Sequence, residues 1–316
     1  MPLDPSTADF LAQMESLGAP DISELSVPAA RELSFSAAPV EPVPVASVTD
    51  RTIAAGSTGD ADGSTHSLGL RIYRPLVAEG RGALVYFHGG GWVLGDLESH
   101  DPICRRLSGG AGITVIAVDY RRAPETPFPG PVDDCYAATR WVADNAELLD
   151  IDPLQIAVGG DSAGGNLAAA VTLKARDLAW PNIRFQLLLY PVTDARFDTA
   201  SYRDNATGYF LTRRSMMWFW DHYVPNESQR MQPLASPLRA DSLLALPQAL
   251  ILTAEFDPLR DEGEAYANAL DSAGVKVAHT RYPGLIHGFF GMWDNVPASR
   301  PAVREATQAL RNVLNS

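Results

Sequence analysis

One short stretch, Gly160-Asp161-Ser162-Ala163-Gly164-Gly165, lies between an apolar run, Gln155-Ile156-Ala157-Val158, and a run of small residues over 166–175. A serine flanked by glycines where a strand hands over to a helix is placed to act as a nucleophile. The tight turn holds it in a sparsely populated backbone conformation and projects its hydroxyl off the end of the sheet. Gly160 and Gly164 leave the room this requires. The helix that follows aims its unpaired N–H groups and the positive end of its dipole at the hydroxyl, which favours negative charge developing there.

A serine hydroxyl is a weak nucleophile near neutral pH and needs a base to take its proton and a third group to orient that base. In α/β-hydrolases these follow in the chain order Ser, then Asp or Glu, then His. Downstream of Ser162 the apolar strand Ala249-Leu250-Ile251-Leu252-Thr253 runs into Asp257, and the next strand runs out at His287. Asp257 competes with a second role, as the N-cap of a helix started by Pro258. One carboxylate would not readily serve both roles, so Asp261 and Glu262 stand as fallback orienters. Upstream, His88-Gly89-Gly90-Gly91-Trp92 follows the strand 83–87. Consecutive glycines let backbone N–H groups turn inward and approach a substrate, as stabilising a tetrahedral oxyanion demands. Gly90, Gly91 and Ala163 are the expected donors. His88 reads as a support for the glycine loop. Asp161 reads as either structural or substrate-contacting, and Trp92 as a pocket wall. His66, His100, His222 and His279 show no metal-ligand spacing and are assigned surface or packing roles.

The chain that must position these groups has 316 residues, 46% of them hydrophobic, enough to bury a large core. Its formal net charge of -13 argues against a sequence-independent grip on nucleic acid or an anionic membrane. The two cysteines, Cys104 and Cys135, form no C-x-x-C pair and read as buried reduced thiols. Met1-Pro2-Leu3-Asp4 lacks the basic and apolar regions of a secretory signal, and no apolar run approaches membrane-spanning length; a cytoplasmic protein is expected.

Strands are expected at 48–54, 68–73, 83–87, 114–118, 155–158, 185–189, 249–253 and 275–282, and helices near 102–107, 132–145, 163–177, 258–273 and 301–314. The first two strands, separated by 56–63, read as a hairpin. This alternation predicts an α/β fold with a mostly parallel sheet covered on both faces. A helical segment over 6–33 and a Pro-rich linker, Pro39-Val40-Glu41-Pro42-Val43-Pro44, precede it, so that 1–45 is set off as an appended piece and 46–316 as the main body. A helical insertion at about 197–231, rich in aromatics, interrupts the alternation and is expected to lie over the strand ends together with the N-terminal helices.

These parts resemble the bacterial hormone-sensitive lipase family of esterases, in the branch bearing G-D-S-A-G-G. The resemblance rests on His88-Gly89-Gly90-Gly91, Asp119-Tyr120-Arg121, Ala123-Pro124-Glu125, the stretch 160–166, the stretch 257–263, His287-Gly288-Phe289 and Gly208-Tyr209-Phe210-Leu211-Thr212. It implies an α/β-hydrolase fold with an eight-stranded core under a helical cap, no metal or organic cofactor, and hydrolysis of short- to medium-chain carboxylic esters. By position Ser162 would be nucleophile, His287 base and acid, and Asp257 its orienter. Tyr209, Phe210 and Trp218 would line the substrate pocket beside Trp92 and Asp161. Family members pair through the last strand, and the alternation over 275–280 allows a homodimer. Arg122 departs from the family's usual leucine, which puts local packing in question. An amidase or formamidase on the same site, a lyase, and a non-catalytic ligand-binding relative are the competing readings; the presence of His287 counts against the last.

Overall fold

The computed structural model describes residues 2–18, 20–34, 42–56 and 65–315. Part of the expected linker, Pro39-Val40-Glu41, and the turn expected over 57–63 lie outside the described residues. One sheet holds β1 (Ser47–Gly56), β2 (Thr65–Arg74), β3 (Ala83–Phe87), β4 (Thr114–Asp119), β5 (Ile156–Asp161), β6 (Phe185–Leu189), β7 (Gln248–Phe256) and β8 (Val277–Ile286). Their order is β1-β2-β4-β3-β5-β6-β7-β8, with β2 antiparallel to both neighbours and every pairing from β4 to β8 parallel. This is the mostly parallel sheet that the strand–helix alternation predicts, with the eight strands that the family resemblance implies.

Side chains of successive strand residues point to opposite faces, and the short apolar strands use both. Val85, Phe87 and Val158 join one buried cluster, while Leu84, Tyr86 and Ala157 join the other. The first face is covered by α4 (Gly130–Asp144), α5 (Ala163–Asp177) and α8 (Arg260–Ser272), the second by α3 (Asp101–Ala111) and α9 (Arg300–Leu314). The remaining helices among the described residues are α1 (Pro5–Ser16), α2 (Val27–Ser34), α6 (Ala200–Asp204) and α7 (Arg213–Tyr223). None of the described helices is long and apolar enough to cross a membrane.

The parallel register brings the C-terminal ends of the central strands to one edge. Phe87 of β3 pairs with Gly160 of β5, Asp161 with Leu189 of β6, and, past a register shift, Phe256 of β7 with Ile286 of β8. The residues that follow, His88, Ser162, Asp257 and His287, therefore leave the sheet at the same edge, where open α/β sheets bind ligands.

The N-terminal segment is bonded to the insertion and to the loops after β3 and β4. Asp21 accepts hydrogen bonds from Thr212 Oγ1 (2.7 Å) and Ser215 Oγ (3.1 Å) at the start of α7, joining the N-terminal segment to the insertion. On α2, Arg31 makes a bidentate pair with Glu125 at 2.8 Å and donates to the carbonyls of Val93 (2.9 Å) and Ala123 (3.0 Å). Arg122 finds a partner as well, donating from Nη1 to Gly95 O at 2.5 Å.

Candidate active site

Ser162 sits between β5 and α5 with φ 56° and ψ −117°, the strained turn expected for a G-x-S-x-G serine. Its amide donates to Leu189 O at 2.8 Å, and its own carbonyl accepts from Asn166 (3.0 Å) and Val192 (3.2 Å), so the strain is held from three sides. A Cβ on Gly164 would lie 1.9 Å from Phe87 O, which is why the helix after the serine can approach β3 only with glycine there.

His287 Nε2 is 2.9 Å from Ser162 Oγ, and His287 Nδ1 is 2.8 Å from Asp257 Oδ2. A carboxylate can only accept, so Nδ1 carries the hydrogen and the Nε2 lone pair faces the serine hydroxyl. Asp257 is fully buried, and His287 and Ser162 nearly so. The ring of Tyr190 meets His287 edge-on with centroids 4.7 Å apart, fixing the imidazole plane.

The expected conflict between capping and orienting does not arise, and that expectation is corrected. Asp257 divides its oxygens: Oδ1 accepts from Leu259 N at 2.8 Å while Oδ2 takes the histidine. The helix α8 begins at Arg260 rather than at Pro258, so the turn before it leaves the carboxylate free for both bonds. The fallback residues are engaged elsewhere. Asp261 accepts from Ser201 N (2.7 Å), and Glu262 accepts from Thr193 N (2.8 Å) and Asp194 N (3.3 Å).

Gly90 and Gly91 have φ of +107° and +60°. Their amides have no acceptor among the described residues, and Ala163 is the first residue of α5, where an N–H lacks an intrahelical partner. A Cβ on Gly91 would stand 2.1 Å from the ring of Phe219, which seals the loop from the side of α7. Phe219 falls in the aromatic-rich insertion, and periodicity cannot say which glycine one of its rings will cover.

Behind this loop lies a polar network. His88 Nδ1 is 2.8 Å from Gly89 O, Tyr120 OH donates to His88 O at 2.8 Å, and the two rings stack at 4.2 Å. Burial above all, with the neighbouring His100, holds His88 down to about 3, so it is a neutral support. Asp161 Oδ1 accepts from Tyr86 OH (2.7 Å) and Gly89 N (3.1 Å).

Two pocket assignments are thereby corrected. Asp161 is buried with its carboxylate spent on the glycine loop, which assigns it the structural role. Trp92 is fully enclosed, stacked on Tyr223 at 4.1 Å and edge-on to Trp220, and presents no face to a substrate. Of the others, Phe210 is 50% exposed and lies beside Gly288, next to His287, with Phe10 edge-on at 6.2 Å. Tyr209 is half-buried against Phe256, and Trp218 half-buried against Phe219 and His222. His100, read from sequence as a surface or packing residue, has a side chain only 14% exposed and reaches Asp161. Among the described residues there is no group of His, Cys, Asp and Glu that could hold a metal ion.

A family model described as alpha/beta hydrolase fold matches residues 84–291. The chain is 41% identical over 283 residues to carboxylesterase NlhH of Mycobacterium tuberculosis, covering 88% of this chain and 86% of that one. It is 40% identical over 255 residues to an ethyl acetate hydrolase of Pseudomonas putida, covering 79% and 80%. The crystal structure of a thermostable esterase from Pseudomonas putida superposes with a TM-score of 0.93 at 43% identity, covering 99% of this chain and 98% of that one.

Proposed function

The chain belongs to the alpha/beta hydrolase family and is a carboxylesterase, and from that premise we propose that Ser162, His287 and Asp257 carry its reaction. Ser162 Oγ attacks the ester carbonyl as His287 Nε2 takes its proton, and Asp257 stabilises the imidazolium through Nδ1–H. The amides of Gly90, Gly91 and Ala163 hold the oxyanion. Collapse expels the alcohol, protonated by His287, and leaves Ser162 acylated. Water, deprotonated by the same histidine, then releases the acid and restores the serine. The observation that carries this reading is the unbroken chain of contacts from Asp257 through His287 to Ser162, at 2.8 and 2.9 Å.

The substrates we propose are short- to medium-chain esters, taken up under a cap made of the described N-terminal residues before β1 and of the insertion at 197–231. In support, the paired rings of Phe210 and Phe10 lie beside Gly288, Phe219 covers Gly91, and the Asp21 contacts tie the two parts of that cap together. The outer edge of β8 is the face we propose for pairing with a second copy of the chain. The test is hydrolysis of p-nitrophenyl esters from acetate to palmitate by the intact protein and by Ser162→Ala. Turnover that peaks at short or medium chains and vanishes in the variant is expected. Turnover indifferent to Ser162 would overturn the assignment.

A further inference from the structure

Asp161 places a buried carboxylate immediately before the nucleophile, touching the amide of Gly89 at the head of the glycine loop. Left bare in a site poor in water, that charge would oppose the negative oxygen that Gly90, Gly91 and Ala163 are set to stabilise. Among the described residues the ion-pair partner of Asp161 is His100, at the start of α3, whose Nε2 stands 3.3 Å from Oδ1 and 3.4 Å from Oδ2.

Ser99 Oγ donates to Asp96 O (3.0 Å) and accepts from Asp96 N (2.9 Å), so what it offers to His100 Nδ1, at 3.0 Å, is a lone pair. Nδ1 therefore carries a hydrogen. Nε2 faces two carboxylate oxygens, and the Gly89 amide hydrogen lies within reach of both Nε2 (3.2 Å) and Asp161 Oδ1 (3.1 Å). A proton on each ring nitrogen, with the Gly89 hydrogen given to the carboxylate, makes the ring an imidazolium paired with Asp161. The titratable and charged groups around it are Asp161 from β5, Tyr86 from β3, His88 from the loop after β3 and Asp96 from the following loop, with Asp101 next to it in the chain. Burial works against the charge on His100, but Asp161 outweighs it and the proton is held more tightly than usual.

We propose that His100 is a positioning residue of the oxyanion hole, which as an imidazolium cancels the Asp161 charge and fixes the carboxylate that holds the Gly89 amide. The inference rests on the acyl-transfer reading of Ser162 given above.

The test is p-nitrophenyl butyrate hydrolysis by the full chain carrying His100→Gln, Asp161→Asn, or both. His100→Gln lowers kcat about 10- to 100-fold with KM unchanged, part of what deleting an oxyanion donor costs. The double variant recovers most of that loss, because an asparagine at 161 still accepts from Gly89 and Tyr86 and leaves no bare charge. The wild-type kcat also falls on the alkaline side as His100 loses its proton, and the double variant lacks this fall. Losses that multiply in the double variant, a change confined to KM, or the same alkaline fall in both proteins would each overturn the proposal. Should His100→Gln not fold, as judged by its melting curve, Asp161→Asn decides alone: its alkaline fall disappears if the proposal holds and persists if it does not. Ser162→Ala is assayed alongside. Turnover surviving in it removes the premise and the inference together, whereas loss there with an unimpaired His100→Gln overturns the inference alone.

Discussion

Replacing Asp257 by asparagine probes how one carboxylate serves two partners. Leu259 N donates to Oδ1 at 2.8 Å, so the amide must keep its carbonyl oxygen there; the opposite flip would set an NH2 against an N–H. That leaves the NH2 facing His287 Nδ1, where the aspartate oxygen now accepts at 2.8 Å. Nδ1 must then be the acceptor, the hydrogen moves to Nε2, and the ring presents N–H instead of a lone pair to Ser162. The expected cost of trapping this tautomer is about ten-thousand-fold in kcat, or ~5 kcal/mol of transition-state stabilisation. KM should change little, since no substrate contact is removed. The fold should also hold, because the Leu259 bond survives and no volume is lost. Steady-state hydrolysis of p-nitrophenyl butyrate, with a melting curve of each protein, measures all three quantities. A loss under about tenfold, at unchanged melting temperature, would refute the assignment of Asp257 as orienter.

Gly91→Ala combines a positive φ with a Cβ 2.1 Å from the Phe219 ring, and should destabilise the protein by about 1–3 kcal/mol while lowering kcat. Thermal melts of Gly91→Ala with and without Phe219→Ala check this: relief of the clash should restore part of the melting temperature but not the strain. Glu125 is held down to about 2, chiefly by its hydrogen bonds to Arg31. A lowered carboxylate pKa contributes stability that is present above the unfolded value and lost as pH falls through the folded one. The advantage of wild type over Glu125→Gln should therefore be full near pH 6 and shrink steadily below about pH 4.5. Glu125 is an exposed residue, so the effect is small, and a melting-temperature difference that stays constant down to about pH 3 would show that the Arg31 pair does not anchor α2.

Much of the molecule was legible in one dimension because its signals are local. Short apolar strands alternating with capped helices announce a parallel sheet whichever way the chain later packs. The serine turn, the glycine run, and the Asp and His at later strand ends were each readable because strand-end chemistry follows from strand position, and the register then brings them to one edge. Where reading failed, the missing information was a contact between distant residues. Nothing near His100 in the chain announces Asp161, and nothing near Gly91 announces Phe219. Trp92 follows the glycines and so looked like a pocket wall; its positive φ turns it into the stack with Tyr223 instead.

The sequence by itself determined the order of strands and helices, the α/β class, and which residues reach the end of the sheet, since these depend on periodicity, glycine and proline placement, and chain order. Only the tertiary structure decided how the Asp257 oxygens are shared, which aromatic covers the glycine loop, that Arg31 and Asp21 tie the N-terminal helices down, and that the carboxylate behind Ser162 meets an imidazole. Those outcomes turn on directions and distances between side chains far apart in sequence, set to a few tenths of an ångström by packing against the whole core, and no local pattern carries that information.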